Sequence, residues 1–416
     1  MKVTITPFAP KGEITAPPSK SVAMRYILLA AVADGKTIIE NVGDSADVVA
    51  AIGCVKSLGA SVDYDGQSVT VRGIKTLPQI AEFDFGECGF LLRTVIPLAN
   101  ALGVKFSYRA GGNLSSRPVK PLFNALSESL FKTENGEYYG KATAGKFVID
   151  GSQSSQFISG LLIAAAAMKG VSRIKITGEK VSDGYIETTL AALKTFGVKT
   201  EKRGDEITVY GGKIVSPKRL VCEGDCSSAA YFLALGAIQG SVTVKGLNVN
   251  SKQPDKAITD ILTSYGANVK ISGDEITVEA AKIKKPVNVS VKDCPDLAQT
   301  IAVLAANADG ESVIKDVGRL KIKESDRLKA IIKTLEAAGI KSESVGDDLH
   351  IFGGAVKGGT FYGGNDHRTV MSQAILAATA DGESVIAGAE AVKKSFPSFF
   401  ENLIKAGGSG NVRISR

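Results

Sequence analysis

The sequence predicts an α/β protein of two lobes, each an inside-out α/β barrel of three repeats whose helices are buried within sheets. Three observations predict it. One pattern recurs six times along 416 residues, its first helix is apolar nearly all round, and a glycine marks each passage from helix to strand.

The first half of the pattern is an Ala/Leu-rich stretch, a glycine and a β-branched stretch. It is clearest at Ile27–Val42, Phe232–Leu247, Ile301–Val317 and Ile375–Ala389, and weaker at 96–108 and 162–178. The pivots Gly35, Gly103, Gly170, Gly240, Gly310 and Gly382 are about 70 residues apart. In the second half a helical run ends on a glycine and gives way to a hairpin, as at 58–73, 196–212, 265–280 and 338–354. Gly past an apolar helix is a C-cap signal, and Gly-Asp or Asp-Gly between alternating apolar residues is a hairpin signal. The unit therefore reads helix–strand–helix–strand–strand, with the last copy cut short near Gly407. Six such units exceed what one core holds, and their period is longer than that of open solenoids, so they divide into two globular lobes of three.

Composition narrows the function classes. Hydrophobic residues make up 44% and charged residues 22%, as in an ordinary globular protein. No apolar run approaches the roughly 20 residues that span a bilayer. Met1–Ile5 alternates like a strand and lacks the apolar core of a secretion signal, so no membrane partner and a cytoplasmic location are expected. Five cysteines, at 54, 88, 222, 226 and 294, argue against a disulfide framework. Cys222 and Cys226 could begin a metal site, but neither histidine lies near them, and buried thiols are the better reading. The net charge of +7 suits an anionic substrate and equally a soluble basic surface.

The chemistry gathers just before the helices. The apolar helices open with Pro18-Ser19-Lys20-Ser21, Glu87-Cys88-Gly89-Phe90, Ser152–Gln156, Gly224–Ser228, Cys294-Pro295-Asp296 and Asn365-Asp366-His367-Arg368. N-capping explains Asp225 and Ser227. It does not explain Lys20, Arg25, Arg93 and Arg368, because cations oppose the dipole at a helix N-terminus unless an anion sits between them. The second helices open similarly, at Ser115–Pro118, Lys323–Arg327 and Lys393–Pro397. If the helices of a lobe run parallel, these starts converge on one face, and two such faces opposed would form an electropositive cleft. Asp296 and Glu324 stand among the cations, either as salt-bridge partners or as general base and general acid. Asp44 and Asp47 read as helix caps, and His350 as a structural residue of a hairpin strand.

These motifs resemble the enolpyruvyl transferases, and among them the EPSP synthase family. The resemblance covers essentially the whole chain. It rests on PPSKSVAMR at 17–25, SSRP at 115–118, GSQSSQF at 151–157, EGDCSSAAYF at 223–232, KESDRL at 323–328, NDHR at 365–368 and KKSFPSFF at 393–400. It implies one lobe of residues 1–18 with 224–416 and another of 19–223. It also implies transfer of the enolpyruvyl group of phosphoenolpyruvate to the 5-hydroxyl of shikimate 3-phosphate, through a tetrahedral intermediate that then loses phosphate. Lys20, Ser21, Arg25, Ser154, Ser155, Gln156, Ser182, Tyr185, Asp296 and Lys323 would hold shikimate 3-phosphate. Lys20, Gly89, Arg117, Gln156, Arg327, Arg368 and Lys394 would hold phosphoenolpyruvate. Asp296 would take the hydroxyl proton, and Glu324, helped by Lys394 or His367, would protonate the enol methylene, with Lys20 also catalytic. No metal or organic cofactor is implied, and a monomer is expected. The chain departs from the family pattern at Glu87, where Asn is usual, and at Phe90, where Thr is usual.

Two other readings compete. The sister enzyme acting on UDP-N-acetylglucosamine usually carries a cysteine before the arginine matching Arg117, and 103–130 has none. A non-catalytic nucleic-acid or polyanion binder would show basic stripes with interleaved aromatics, whereas aromatics here are 6% and the cations stand singly at helix starts, so no nucleic-acid partner is expected.

Overall fold

The structure, a computed structural model, describes residues 1–415. The chain divides into two compact units, Met1–Pro17 with Glu223–Arg416, and Pro18–Cys222. Among the described residues, each unit holds three four-stranded sheets.

Every sheet follows one plan, visible in full around Ser155–Ala167. Lys146–Asp150 leads into that helix and pairs in parallel with Gly170–Thr177, which follows it. After an outer helix, Asp183–Thr195, the hairpin strands Lys199–Arg203 and Glu206–Gly211 complete the sheet antiparallel. The repeat thus begins with a strand that the sequence pattern did not reveal. Three of these leading strands, Arg219–Val221, Asn288–Ser290 and Thr360–Tyr362, have only 3 residues, too few to display an alternation.

Two of the leading strands are exchanged. Lys11–Thr15 precedes the helix Lys20–Val32 in sequence but pairs with Ser241–Lys245 in the first unit. Arg219–Val221 precedes Cys226–Ile238 but pairs with Lys36–Glu40 in the second. The last repeat is complete, contrary to the reading that it is cut short. Lys2–Ile5 lies between Ser384–Ala387 and Val412–Ser415, so the N-terminal strand supplies the missing hairpin partner.

The inner helices are α1 (Lys20–Val32), α2 (Gly89–Leu102), α3 (Ser155–Ala167), α4 (Cys226–Ile238), α5 (Ala298–Ala306) and α6 (His367–Ala378). All residues of α4, α5 and α6 are buried, as expected of helices with no polar face. α1 to α3 belong to one core and α4 to α6 to the other. Gly160 of α3 lets α2 come close: a Cβ there would sit 2.0 Å from the Arg93 carbonyl oxygen. Pro97, four residues on in α2, has no N–H to offer that carbonyl, so the bare helix surface meets a glycine.

Candidate active site

In the first unit the starts of α4, α5 and α6 meet through side chains. Asp296, in the 3-10 turn before α5, accepts from Arg327 Nη1 at 2.9 Å and from Arg368 Nη2 at 2.9 Å. Arg368, in the first turn of α6, also donates to Ser227 Oγ at the start of α4. Ser227 therefore serves as a side-chain acceptor and not as a cap. Asp225 is the cap, taking the Ser228 N–H at 2.7 Å.

Arg327 begins the outer helix Arg327–Ala337 and is 1% exposed. Three carboxylates surround its guanidinium. Nε donates to Asp366 Oδ2 at 2.9 Å, Nη1 to Asp296, and Nη2 lies 2.6 Å from Glu324 Oε2. Asp366 is fully buried. It caps α6 through the Arg368 N–H at 2.9 Å and accepts from Ser325 Oγ at 2.9 Å. Burial alone would disfavour the charge on Arg327, but Asp366, Glu324 and Asp296 outweigh it and raise its pKa further above the ordinary value. Burial would likewise raise the Asp296 carboxyl, yet Arg368, Lys323 and Arg327 hold it far below the usual carboxylate range. Lys323 is drawn the other way: burial lowers it to about 8 against the attraction of Asp296. His367 Nδ1 stands 4.0 Å from Asp366 Oδ1. Lys394 Nζ donates to the Asn365 carbonyl at 2.6 Å, and Asn365 turns the chain into α6 with a φ of 58°.

The second unit gathers its cations differently. Arg25, in the second turn of α1, is 2% exposed and has no carboxylate partner among its hydrogen bonds. It donates to Thr189 Oγ1 at 2.8 Å, to the Ser21 carbonyl at 2.7 Å and to the Tyr185 carbonyl at 3.3 Å. Its guanidinium lies over the Phe90 ring, 4.5 Å from the centroid, and burial lowers its pKa to about 10. Arg93 of α2 repeats the arrangement. It donates to Gln156 Oε1 and to the Pro118 carbonyl, and lies 4.9 Å over Phe157. Gly89 lies against these cations: a Cβ there would sit 2.7 Å from Arg117 Nη1 and 3.2 Å from Arg93 Nη1, and the guanidinium ends would have to shift to admit it. Lys20 is paired with Asp47 at 2.6 Å.

The serines sit at the helix starts. Ser154 caps α3 by accepting the Gln156 N–H at 3.3 Å, and Ser155 is buried in its first turn. Ser182 has the left-handed φ of 57°, which non-glycine residues adopt only where the surroundings enforce it.

Several expectations change in detail. Asp47 holds Lys20 and so is more than a cap; Ser45 occupies the N-cap position of its helix, Ala46–Ser57. Cys222 and Cys226 are buried and fall in different units, and no group of three His, Cys, Asp or Glu among the described residues could hold a metal. His350 lies in the hairpin strand Asp348–Phe352, its Nδ1 2.7 Å from Glu311 Oε1.

Within the first unit Asp296, Glu324, Arg327 and Arg368 form one network, with Lys323 close enough to feel Asp296. Within the second, Ser21, Arg25 and Tyr185 are joined, and Gly89 lies close to the Arg117 guanidinium. Sequence reasoning gave no role to Asp366 or Thr189 and read Asp47 only as a cap. Asp366 had a legible signal, an acid beside a histidine and an arginine in Asn365–Arg368; Thr189 lies mid-helix with none.

The comparisons with known proteins agree among themselves. The family described as EPSP synthase (3-phosphoshikimate 1-carboxyvinyltransferase) matches residues 6–403. A 3-phosphoshikimate 1-carboxyvinyltransferase of Clostridium kluyveri is 34% identical, covering 98% of this chain and 97% of its own. One from Pyrococcus abyssi is 37% identical over 94% of each. Among solved structures, an EPSP synthase from Acinetobacter baumannii superposes with a TM-score of 0.83 at 25% identity, covering 100% of both chains. The enolpyruvyl transferase NikO from Streptomyces tendae has the same fold, with a TM-score of 0.76 at 17% identity, 99% of this chain and 98% of its own being covered.

Proposed function

The chain belongs to the EPSP synthase family, and on that premise we propose that it transfers the enolpyruvyl group of phosphoenolpyruvate to the 5-hydroxyl of shikimate 3-phosphate. The observation that carries this reading is Asp296 held between the guanidinium groups of Arg327 and Arg368.

Two arginines with forked donors are suited to the carboxylate and phosphate of phosphoenolpyruvate. In the structure Asp296, Glu324 and Asp366 match their charge, and the cations hold the Asp296 carboxyl far below its usual range. A substrate anion that takes over part of the Arg327 and Arg368 donors would free Asp296 and raise its pKa toward the ordinary value. Binding would thereby switch on the base that takes the hydroxyl proton.

The bond changes balance with the groups in hand. Glu324, helped by Lys394 or His367, gives a proton to the methylene carbon. The hydroxyl oxygen, relieved of its proton by Asp296, bonds to the adjacent carbon and forms the tetrahedral intermediate. Loss of phosphate with a proton from the new methyl group restores the double bond. Arg117, Lys20 and Gly89 would complete the phosphoenolpyruvate contacts, with Gln156 touching both substrates. Ser21, Arg25, Ser154, Ser155, Ser182, Tyr185 and Lys323 would hold shikimate 3-phosphate.

The test is phosphate release from phosphoenolpyruvate with shikimate 3-phosphate or UDP-N-acetylglucosamine as acceptor, in the wild type and in Asp296→Ala. Release with shikimate 3-phosphate alone, reduced about 1,000-fold or more in the variant, is the expected outcome. Release with the sugar nucleotide would assign the sister reaction, and undiminished turnover by Asp296→Ala would remove Asp296 as the base.

A further inference from the structure

One oxygen of the second unit is hydrogen-bonded to all three segments proposed to hold shikimate 3-phosphate there, yet its residue is not among those proposed to touch substrate. It is Thr189 Oγ1, fully buried in the middle of the outer helix Asp183–Thr195. Arg25 Nε of α1 donates to it at 2.8 Å. Ser159 Oγ of α3 lies 2.9 Å away, and the Tyr185 carbonyl of its own helix 3.0 Å away. Ser159 is also fully buried and stands one helical turn after Ser155. The outer helix starts beside Ser182 and carries Tyr185 in its first turn.

The directions of these bonds follow from the groups themselves. A guanidinium can only donate, so Thr189 accepts from Arg25 whichever way its hydroxyl turns. Its single hydrogen is left for Ser159 Oγ or for the Tyr185 carbonyl four residues back, the usual partner of a mid-helix threonine. With Nε on Thr189 and Nη2 on the Tyr185 carbonyl at 3.3 Å, one side of the guanidinium is fastened to one turn of the outer helix. Nη1 donates to the Ser21 carbonyl at 2.7 Å. Among the described residues these bonds use three of the five N–H groups and leave one on each Nη, a fork suited to an anion.

We infer that Thr189 is a positioning residue for the proposed reaction: its hydroxyl oxygen turns the Arg25 guanidinium so that the two remaining N–H groups meet shikimate 3-phosphate. This role rests on the reading that Arg25 holds that substrate. Without the oxygen, the Nε–H would be buried with no acceptor. The guanidinium would then turn to satisfy it and give up part of its fork. Valine has the shape of threonine without the oxygen, and serine keeps the oxygen, so the two substitutions separate the hydrogen bond from the packing.

The test combines calorimetric titration of the full chain with shikimate 3-phosphate alone and steady-state kinetics, in the wild type, Thr189→Val and Thr189→Ser. Thr189→Val should weaken shikimate 3-phosphate about tenfold in both Kd and KM, with kcat and the KM for phosphoenolpyruvate within about twofold. Thr189→Ser should restore the affinity to within about threefold. In an Arg25→Met background Thr189→Val should weaken binding no further, because the group through which it acts is gone. That background leaves no unpaired guanidinium, so it keeps the role testable even where Thr189→Val alone folds poorly. Undiminished affinity in Thr189→Val, no recovery in Thr189→Ser, or a further loss in the Arg25→Met background would each overturn the positioning role. Failure of the wild type to bind shikimate 3-phosphate would overturn the reading on which the role rests, and the role with it.

Discussion

Arg327 and Arg25 are equally buried and begin from the same sequence logic, yet the two units hold them in opposite ways. In the first unit Arg327 is surrounded by Asp366, Asp296 and Glu324. In the second, Arg25 is held by a threonine hydroxyl, two backbone carbonyls and the face of a phenyl ring. Their pKa values move apart accordingly: up for Arg327 through its carboxylates, and down to about 10 for Arg25 through burial. A cation matched by carboxylates contributes little net field and leaves acids and bases in place for proton transfer. A cation held by neutral dipoles keeps its charge for an incoming anion. Arg327 thus stands among groups that can exchange protons, and Arg25 among groups that cannot.

The largest effect that could break this contrast is on stability. Arg327→Met leaves three carboxylates without their shared partner and should cost about 3–5 kcal/mol, read as a lower urea midpoint. Arg25→Met should cost only about 1 kcal/mol, because Thr189 keeps its bonds to Ser159 Oγ and the Tyr185 carbonyl. The same Arg25→Met change should raise the KM for shikimate 3-phosphate about tenfold or more. Equal stability losses in the two variants would show that Arg25 also depends on an ionic partner, and the contrast would fall.

The repeat explains why so much of the fold was legible. Glycine at the helix ends and alternation in the hairpins are local signals, and six copies allow weak ones such as 96–108 to be recognised. The leading strands were invisible because their partners lie beyond the next helix and, for Lys11–Thr15 and Arg219–Val221, some 200 residues away by pairing with the other exchanged repeat. The same distinction applies to the candidate site. Cations at helix starts stand out because they oppose the dipole, so Lys20, Arg25, Arg93 and Arg368 were visible one by one. What neutralises each of them is tertiary. Locally Asp366, which locks Arg327, reads as a cap like Asp225 and is set apart only by the His367 and Arg368 that follow it, and nothing marks Thr189 as the partner of Arg25.

A smaller effect concerns pH, and it sharpens the first unit's side of the contrast. Lys323, at about 8, loses its charge within the working range of a neutral enzyme. The contribution to holding an anionic substrate proposed for it would therefore be present below pH 8 and lost as pH rises through 8. One unit higher, only about a tenth of the molecules retain the charge. The expected result is a fall of up to about tenfold in kcat/KM for shikimate 3-phosphate between pH 7 and 9, removed in Lys323→Arg, which stays ionised. Stability moves the other way. The folded chain releases this proton more readily than the unfolded chain, whose lysine titrates near 10.5, so this group makes folding more favourable as pH rises from about 8 to 10.5. A pH profile unchanged by Lys323→Arg would assign the titration to another group.

The smallest effect isolates the second unit's device. If neutral partners suffice to hold Arg25, each must contribute a modest and separable share, and the Phe90 ring is the one that can be removed without touching a hydrogen bond. Phe90→Leu keeps an apolar side chain in the core but replaces the negative ring face with one that has no quadrupole. The guanidinium should lose about 0.5–1 kcal/mol of support, seen as a two- to fivefold rise in the KM for shikimate 3-phosphate with kcat unchanged. The decisive measurement is a double-mutant cycle of Phe90→Leu with Arg25→Met. Coupling of the same size, lost when the arginine is absent, would show that the ring acts on the charge. Additive effects would mean that Phe90 only fills space, and the hydroxyl and two carbonyls would then hold the cation alone.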